Sequence, residues 1–396
     1  MLGCRRRMSV EDVAMHARHR AFRLAGALAL AAALALPAAS AAKGPAASNG
    51  AATHANAGVQ RIFVIMLENH SQSTVIGDVN APYITHLAQT YGEATNYYGV
   101  THPSQPNYVA AITGTLDYAM MNDNATNTYD RPNLVDQLEA SGKTWGAYMD
   151  AMPSIGFTGA QWPDYTALYS NKHNPFVLMD DVRNDPARLA DIKPYTALAG
   201  DLNSGHAPDF VWISPDQCND MHGGVYTPVP GHPETTCPYG NTVDDPADAS
   251  LKAKADAFVQ GAVETITTSQ AWTANSVIVI LTDEADFSGT ATETDLWADV
   301  SGCCDSPGYG SAPPLPYGYE FMDNGPGHFW YTGKFGGGLV PAIVIARGMT
   351  HHVVDARAYN HYSLLATIEQ VWHLGYLGYA ADHPNVKTMM KLFAGG

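Results

Sequence analysis

Ser104 lies between Pro103 and Pro106 at the head of the apolar run Tyr108–Thr113, in Ser104-Gln105-Pro106-Asn107. A helix that starts there leaves free backbone N–H groups and the positive end of its dipole beside the hydroxyl. Such a place favours negative charge, both on a serine alkoxide and on the oxygens of a phosphoryl group it attacks. Serine before proline at a helix start is also a common N-cap.

Two apolar runs end in groups that suit a metal. Arg61-IFVIML leads into Glu68-Asn69-His70, and Ser276-VIVILT into Asp283-Glu284-Ala285-Asp286. Carboxylates and an amide carbonyl are hard oxygen donors, and two strand ends that meet bring them onto one divalent cation. Ligands collect at the carboxyl ends of strands in open α/β sheets, so the three stretches define one candidate site.

The elements that must position them follow from hydrophobic pattern. Arg61-IFVIML, Thr144-WGAYM, Asp209-FVWIS, Ser276-VIVIL and Val340-PAIVIAR are short, continuously apolar and β-branched, which suits strands buried on both faces. Helical patterns fill the intervals at 107–113, 132–140, 186–202, 246–268 and 363–374. Strands alternating with helices predict a three-layer α/β/α sandwich on a mostly parallel sheet. The segments 218–244 and 289–338 are rich in Gly, Pro, Tyr and His and read as long loops over the site.

At the N-terminus, Arg18, His19, Arg20 and Arg23 precede the Ala/Leu run Leu24–Leu36, and Ala39-Ser40-Ala41 fits a cleavage site. Residues 1–42 therefore read as a signal peptide, 43–58 as a disordered lead-in, and 59–396 as a single domain that is exported to the periplasm or beyond the cell. No later segment offers eighteen uninterrupted apolar residues, so no membrane span is expected. Cys218 and Cys237 can close a loop in an oxidising compartment, whereas the adjacent Cys303 and Cys304 are expected to resist bridging each other. A formal charge of −17 disfavours a nucleic-acid polymer as partner, because a phosphate backbone calls for a basic surface. An acidic protein that handles phosphate must do so locally, with a metal.

Five motifs in order resemble those of the phosphoesterase family, which holds acid phosphatases and phosphocholine-type phospholipases C within the alkaline-phosphatase superfamily. They are Glu68-Asn69-His70-Ser71, Ser104-Gln105-Pro106-Asn107, His173-Asn174-Pro175-Phe176, Asn219-Asp220-Met221-His222 and Thr282-Asp283-Glu284. The resemblance implies an alkaline-phosphatase-like fold, with Ser104 as nucleophile and Glu68, Asn69, Asp283 and Glu284 as metal ligands. It places His173 and His222 at the phosphate, as acids toward the leaving group when cationic, and Asn107 as a donor to a phosphoryl oxygen. His102 and His361 join the phosphate-binding set. Asp283-Glu284 stands where two-zinc relatives carry Asp-His, which implies one hard divalent cation, with Ca, Mg, Mn and Zn all open. The expected activity is hydrolysis of small phosphate monoesters through a phosphoserine. Phospholipase C-type diester cleavage is the alternative, for which Tyr309, Tyr317, Tyr319, Phe329, Trp330 and Tyr331 would supply a choline cage. A non-catalytic phosphate- or lipid-binding protein is the other.

Overall fold

A computed structural model of the chain describes residues 58–116, 122–240, 245–288, 297–298, 301–304, 320–322, 329–331 and 336–395. The expected signal peptide and lead-in lie outside these residues, apart from Gly58, as do Tyr309, Tyr317 and Tyr319.

The centre is an eight-stranded sheet. Its strands are β1 (Arg61–Leu67), β2 (Gly92–Ala94), β3 (Trp145–Met149), β4 (Ile192–Pro194), β5 (Phe210–Ser214), β6 (Ser276–Thr282), β7 (Ala342–Ala346) and β8 (Val353–Asp355). They lie in the order β8-β2-β7-β6-β1-β5-β3-β4. β1 runs parallel to both its neighbours, with Ile62 opposite Phe210 on β5 and Val277 on β6. Only β7 reverses, antiparallel to β6 and to β2.

Alternation along β1 shows why the sheet is apolar throughout. Ile62, Val64 and Met66 pack to one side, against α2 (Ser104–Thr113), α3 (Leu134–Ala140) and α5 (His361–Trp372). Phe63, Ile65 and Leu67 pack to the other, against α1 (Pro82–Thr90) and α4 (Pro246–Thr267). A strand covered on both faces cannot alternate polar with apolar, so its sequence reads as a continuous run. The architecture is the expected α/β sandwich of three layers.

Several boundaries differ from expectation. The segment 186–202 is not one helix: Ile192–Pro194 pairs with β3 as the edge strand, with short helical turns on either side. Pro194 supplies no N–H, which an edge strand tolerates. Helix α2 begins at Ser104, the start that the flanking prolines suggest, although the helical pattern extends only over 107–113, and all ten of its residues are buried. It stops at Gly114, whose φ of +66° suits glycine, and where a Cβ would meet the Leu377 carbonyl oxygen at 2.2 Å. Cys218 and Cys237 form a disulfide, and so do Cys303 and Cys304, contrary to the expectation that neighbouring cysteines would stay apart.

Candidate active site

Because β1 and β6 are parallel neighbours, their carboxyl ends emerge side by side, and Glu68 and Asp283 follow them directly. Asn69 turns the chain sharply with a φ of +46°, a conformation that Asn tolerates better than most residues. Its backbone N–H donates to Asp283 Oδ1 at 3.2 Å, and the N–H of Glu284 donates to the same oxygen at 2.7 Å. One carboxylate oxygen thereby locks the two strand ends together. Close backbone crossing supports them from below: a Cβ on Gly99 would lie 2.7 Å from the Asp283 carbonyl oxygen, and one on Gly337 2.6 Å from that of Thr101.

Helix α2 presents Ser104 to this junction. The hydroxyl does not cap its helix; it donates to Glu68 Oε2 at 2.7 Å and lies 3.0 Å from Glu284 Oε1. Glu284 also reaches His102, whose Nδ1 lies 2.5 Å from Oε2. Ser104, Glu68, Asp283 and Glu284 are all at most 1% exposed. Burial raises the pKa of Glu68 well above the carboxylate range, helped by the charges of Asp283 and Asp220. Burial and the neighbouring Glu284 do the same to Asp283, and burial raises Glu284 against the opposing pull of His102.

These acids form a place for a cation. Glu68, Asp283 and Glu284 each offer an oxygen within 4.8 Å of the others. Asp283 Oδ2 and Asn69 Oδ1 are buried and accept no hydrogen bond, while Asn69 Nδ2 donates to the Tyr239 hydroxyl at 3.1 Å and so fixes the orientation of the amide. Buried carboxylates and a carbonyl left without donors cost several kcal/mol unless a positive charge meets them. A hard divalent cation with oxygen ligands fits that donor set.

The histidines are brought close but not in one role. His173 Nε2 lies 3.1 Å from Glu68 Oε1 and its Nδ1 3.0 Å from Asp220 Oδ2, with the ring stacked on Tyr108 at 5.3 Å. His222 sits 5.4 Å from it, ring to ring. Burial, and next the Lys172 ammonium, hold the pKa of both imidazoles well below the usual value, so neither is the cation expected of a general acid. His222 Nδ1 faces the Gly223 carbonyl at 2.9 Å and its Nε2 faces Lys172 Nζ at 2.9 Å, a pairing that only the neutral Nδ1–H tautomer satisfies.

His361 is not turned toward the hydroxyl: its Nε2 donates to the Asp283 carbonyl at 2.6 Å and its Nδ1 accepts from Tyr97 at 3.2 Å. Burial pushes it down to about 4, and it props the backbone beneath a ligand. Asn107 is also turned inward. Its Oδ1 accepts from the N–H groups of Val100 and Thr101, and its Nδ2 donates to the carbonyls of Thr101 and Pro103. The amide expected at a phosphoryl oxygen instead shapes the loop that delivers Ser104. Of the late aromatics, Phe329–Tyr331 form a short strand. Sequence reasoning missed Lys172, Asp123 and Tyr239 and gave Asp220 no role beyond its motif; the only signal for Lys172 was a cation beside His173 in a strongly acidic chain.

The chain is similar to known phosphatases over part of its length. A probable acid phosphatase of Kluyveromyces lactis is 34% identical over 171 residues, 42% of this chain and 39% of that protein. A phosphatidylinositol-3-phosphatase of Mycobacterium tuberculosis is 30% identical over 163 residues, 41% of this chain and 52% of that protein. The matches therefore span roughly two fifths to one half of these relatives. Among solved structures, murine ectonucleotide pyrophosphatase/phosphodiesterase 5 superposes with a TM-score of 0.49 at 10% identity, over 83% of this chain and 99% of that one. The model of the Phosphoesterase family matches residues 78–236 and 238–375, which include Ser104, both histidines and the Asp283-Glu284 pair, and the chain belongs to that family.

Proposed function

We propose that this chain is an exported, metal-dependent phosphoric ester hydrolase that cleaves phosphate monoesters through a phosphoserine at Ser104. One observation carries the reading: a buried serine hydroxyl at the first residue of a helix faces two carboxylates of a cluster in which Asp283 Oδ2 and Asn69 Oδ1 are buried without donors. Relatives named probable acid phosphatase and phosphatidylinositol-3-phosphatase favour phosphatase action over diester cleavage.

Glu68, Asn69, Asp283 and Glu284 would hold one divalent cation, which when bound lowers the pKa of a nearby hydroxyl and withdraws charge from a phosphoryl oxygen. The chain's own groups account for the rest. Glu68 and Glu284 fix the Ser104 oxygen and accept its proton as the Oγ–P bond forms and the bond from phosphorus to the leaving oxygen breaks. The proton released by Ser104 ends on the leaving oxygen, giving the free alcohol. Water then attacks phosphorus from the side opposite Oγ and gives a proton to the same carboxylates, the Oγ–P bond breaks, and Oγ takes that proton, so that one water is consumed per phosphate released. His102 holds Glu284 in place, and Asp220 holds His173 against Glu68.

Export is supported by the leader pattern and by the disulfide between Cys218 and Cys237, a bond that persists in oxidising compartments. Among the described residues no helix is long and apolar enough to cross a membrane. The test is hydrolysis of an aryl phosphate, its bis-ester and phosphatidylcholine by one preparation of known metal content. The monoester is expected to dominate. Faster bis-ester or phosphatidylcholine cleavage would favour the phosphodiesterase alternative, and no turnover of any would favour a binding protein.

A further inference from the structure

Lys172 is a partly buried cation inside an acidic site and has no part in the proposed reaction. Its ammonium lies 2.9 Å from Asp123 Oδ2 and 2.9 Å from His222 Nε2, with its side chain 14% exposed. Asp123 uses its other oxygen to accept the backbone N–H of Gln105 at 2.9 Å. Gln105 follows Ser104 in α2, so a single carboxylate ties the ammonium to the first turn of the helix that presents the nucleophile. The amide that a bare helix start would offer to an anion is thereby taken by Asp123, and Lys172 stands behind it.

Glu68, His173 and His222 would otherwise be a second ligand group, with an atom from each within 4.8 Å of the others. His222 has only one lone pair to give. Its Nδ1 faces a carbonyl and must carry hydrogen, and its Nε2 already accepts from the Lys172 ammonium. A nitrogen lone pair engaged in that way does not bind a metal ion as well. Lys172 has three N–H groups, of which its partners among the described residues, Asp123 and His222, take two.

We propose that Lys172 takes the place of a second metal ion: its ammonium closes the Glu68, His173 and His222 group to metal and gives its third N–H to a non-bridging oxygen of the phosphate, setting a preference for monoester dianions. A monoester dianion and the inorganic phosphate product carry an oxygen charge that a diester lacks, and a fixed, partly desolvated ammonium meets it at close range. The proposal rests on the phosphatase reading, with one divalent cation at the oxygen cluster.

The experiment measures metal equivalents by elemental analysis and inorganic phosphate affinity by calorimetry, in the metal-loaded native protein and in K172M. The native protein should take up one equivalent. Phosphate affinity should fall by about tenfold or more in K172M, since a charge-assisted hydrogen bond is lost. The ratio of kcat/KM for an aryl phosphate to that for its bis-ester should fall by a similar factor, while the metal equivalent is retained. D123N, which keeps the ammonium but unties it, should shift both readouts in the same direction and serves if K172M does not fold. Two equivalents in the native protein, or native phosphate affinity in either folded variant, would overturn the role of Lys172 alone. If the native protein takes up no divalent cation, the underlying reading fails first and this proposal falls with it.

Discussion

Glu284 bridges the nucleophile and His102, and changing it separates distance from charge. In E284D the carboxylate withdraws by one C–C bond, about 1.5 Å. Contacts of 3.0 Å to Ser104 Oγ and 2.5 Å to His102 Nδ1 then stretch past hydrogen-bonding range. Losing one charge-assisted bond to the nucleophile is worth about 1.5–3 kcal/mol, or roughly 10- to 150-fold in kcat/KM. E284Q keeps the reach but removes the charge, and with it a proton acceptor and a ligand, so its loss should be the larger of the two. Stability should move the other way. Glu284 is one of the charges that raise the pKa of Glu68 and Asp283, so E284Q relieves like-charge repulsion in the metal-free protein and should raise its Tm. The assay is kcat/KM on an aryl phosphate at saturating metal, with metal content and Tm taken on the same samples. E284Q within about threefold of native kcat/KM would refute the reasoning.

Two further outcomes follow from the buried acids. D283N removes the carboxylate that joins the two strand ends and carries an oxygen without a donor, so metal affinity, read by calorimetry, should fall by at least about 100-fold, and hydrolysis with it. Glu369 on α5 is remote from this chemistry: it is fully buried, accepts the Leu377 N–H through Oε1, and is raised by burial from 4.5 to about 8 against the opposing hydrogen bonds of Leu377 and Gln137. A raised folded-state pKa means stability that is full below the unfolded value and lost as pH rises through the folded one. E369Q should therefore flatten, between pH 4.5 and about 8, a decline of at most about 1.4 kcal/mol per pH unit in denaturant unfolding.

Much of this was legible because the relevant signals are local. The central strands are buried on both faces, so β1 and β6 read as unbroken apolar runs, and the polar residues that follow them mark the carboxyl end of the sheet. Glu68, Asn69, Asp283 and Glu284 stand out in that way, and Ser104 by its place between prolines at a helix start. Strand direction leaves no such trace: β7 has the same apolar pattern as the parallel strands of the sheet, yet it runs antiparallel to both its neighbours. The edge strand at Ile192–Pro194 was hidden in a helical pattern because three residues are too few to establish a period of two.

Within the site, sequence identified residue types better than partners. Asn107 has the right chemistry for a phosphate oxygen, but its amide is consumed by the backbone of its own loop. His222 has an ordinary imidazole, yet the tautomer forced by Gly223 and Lys172 denies it the proton of a general acid. Lys172 leaves no such signal because lysine is usually solvated, and only the fold shows its partly buried ammonium between Asp123 and His222.

The central claim is that the Ser104 oxygen becomes bonded to phosphorus. The metal-loaded protein should be mixed with a slowly turned-over, phosphorus-labelled aryl phosphate, quenched in acid within one turnover, and digested for peptide mapping. Label is expected on the peptide containing Ser104 in the native protein and nowhere in S104A, which should remain folded and lose at least about a thousandfold in kcat. Turnover by S104A near the native rate, or label on a different residue, would contradict the claim.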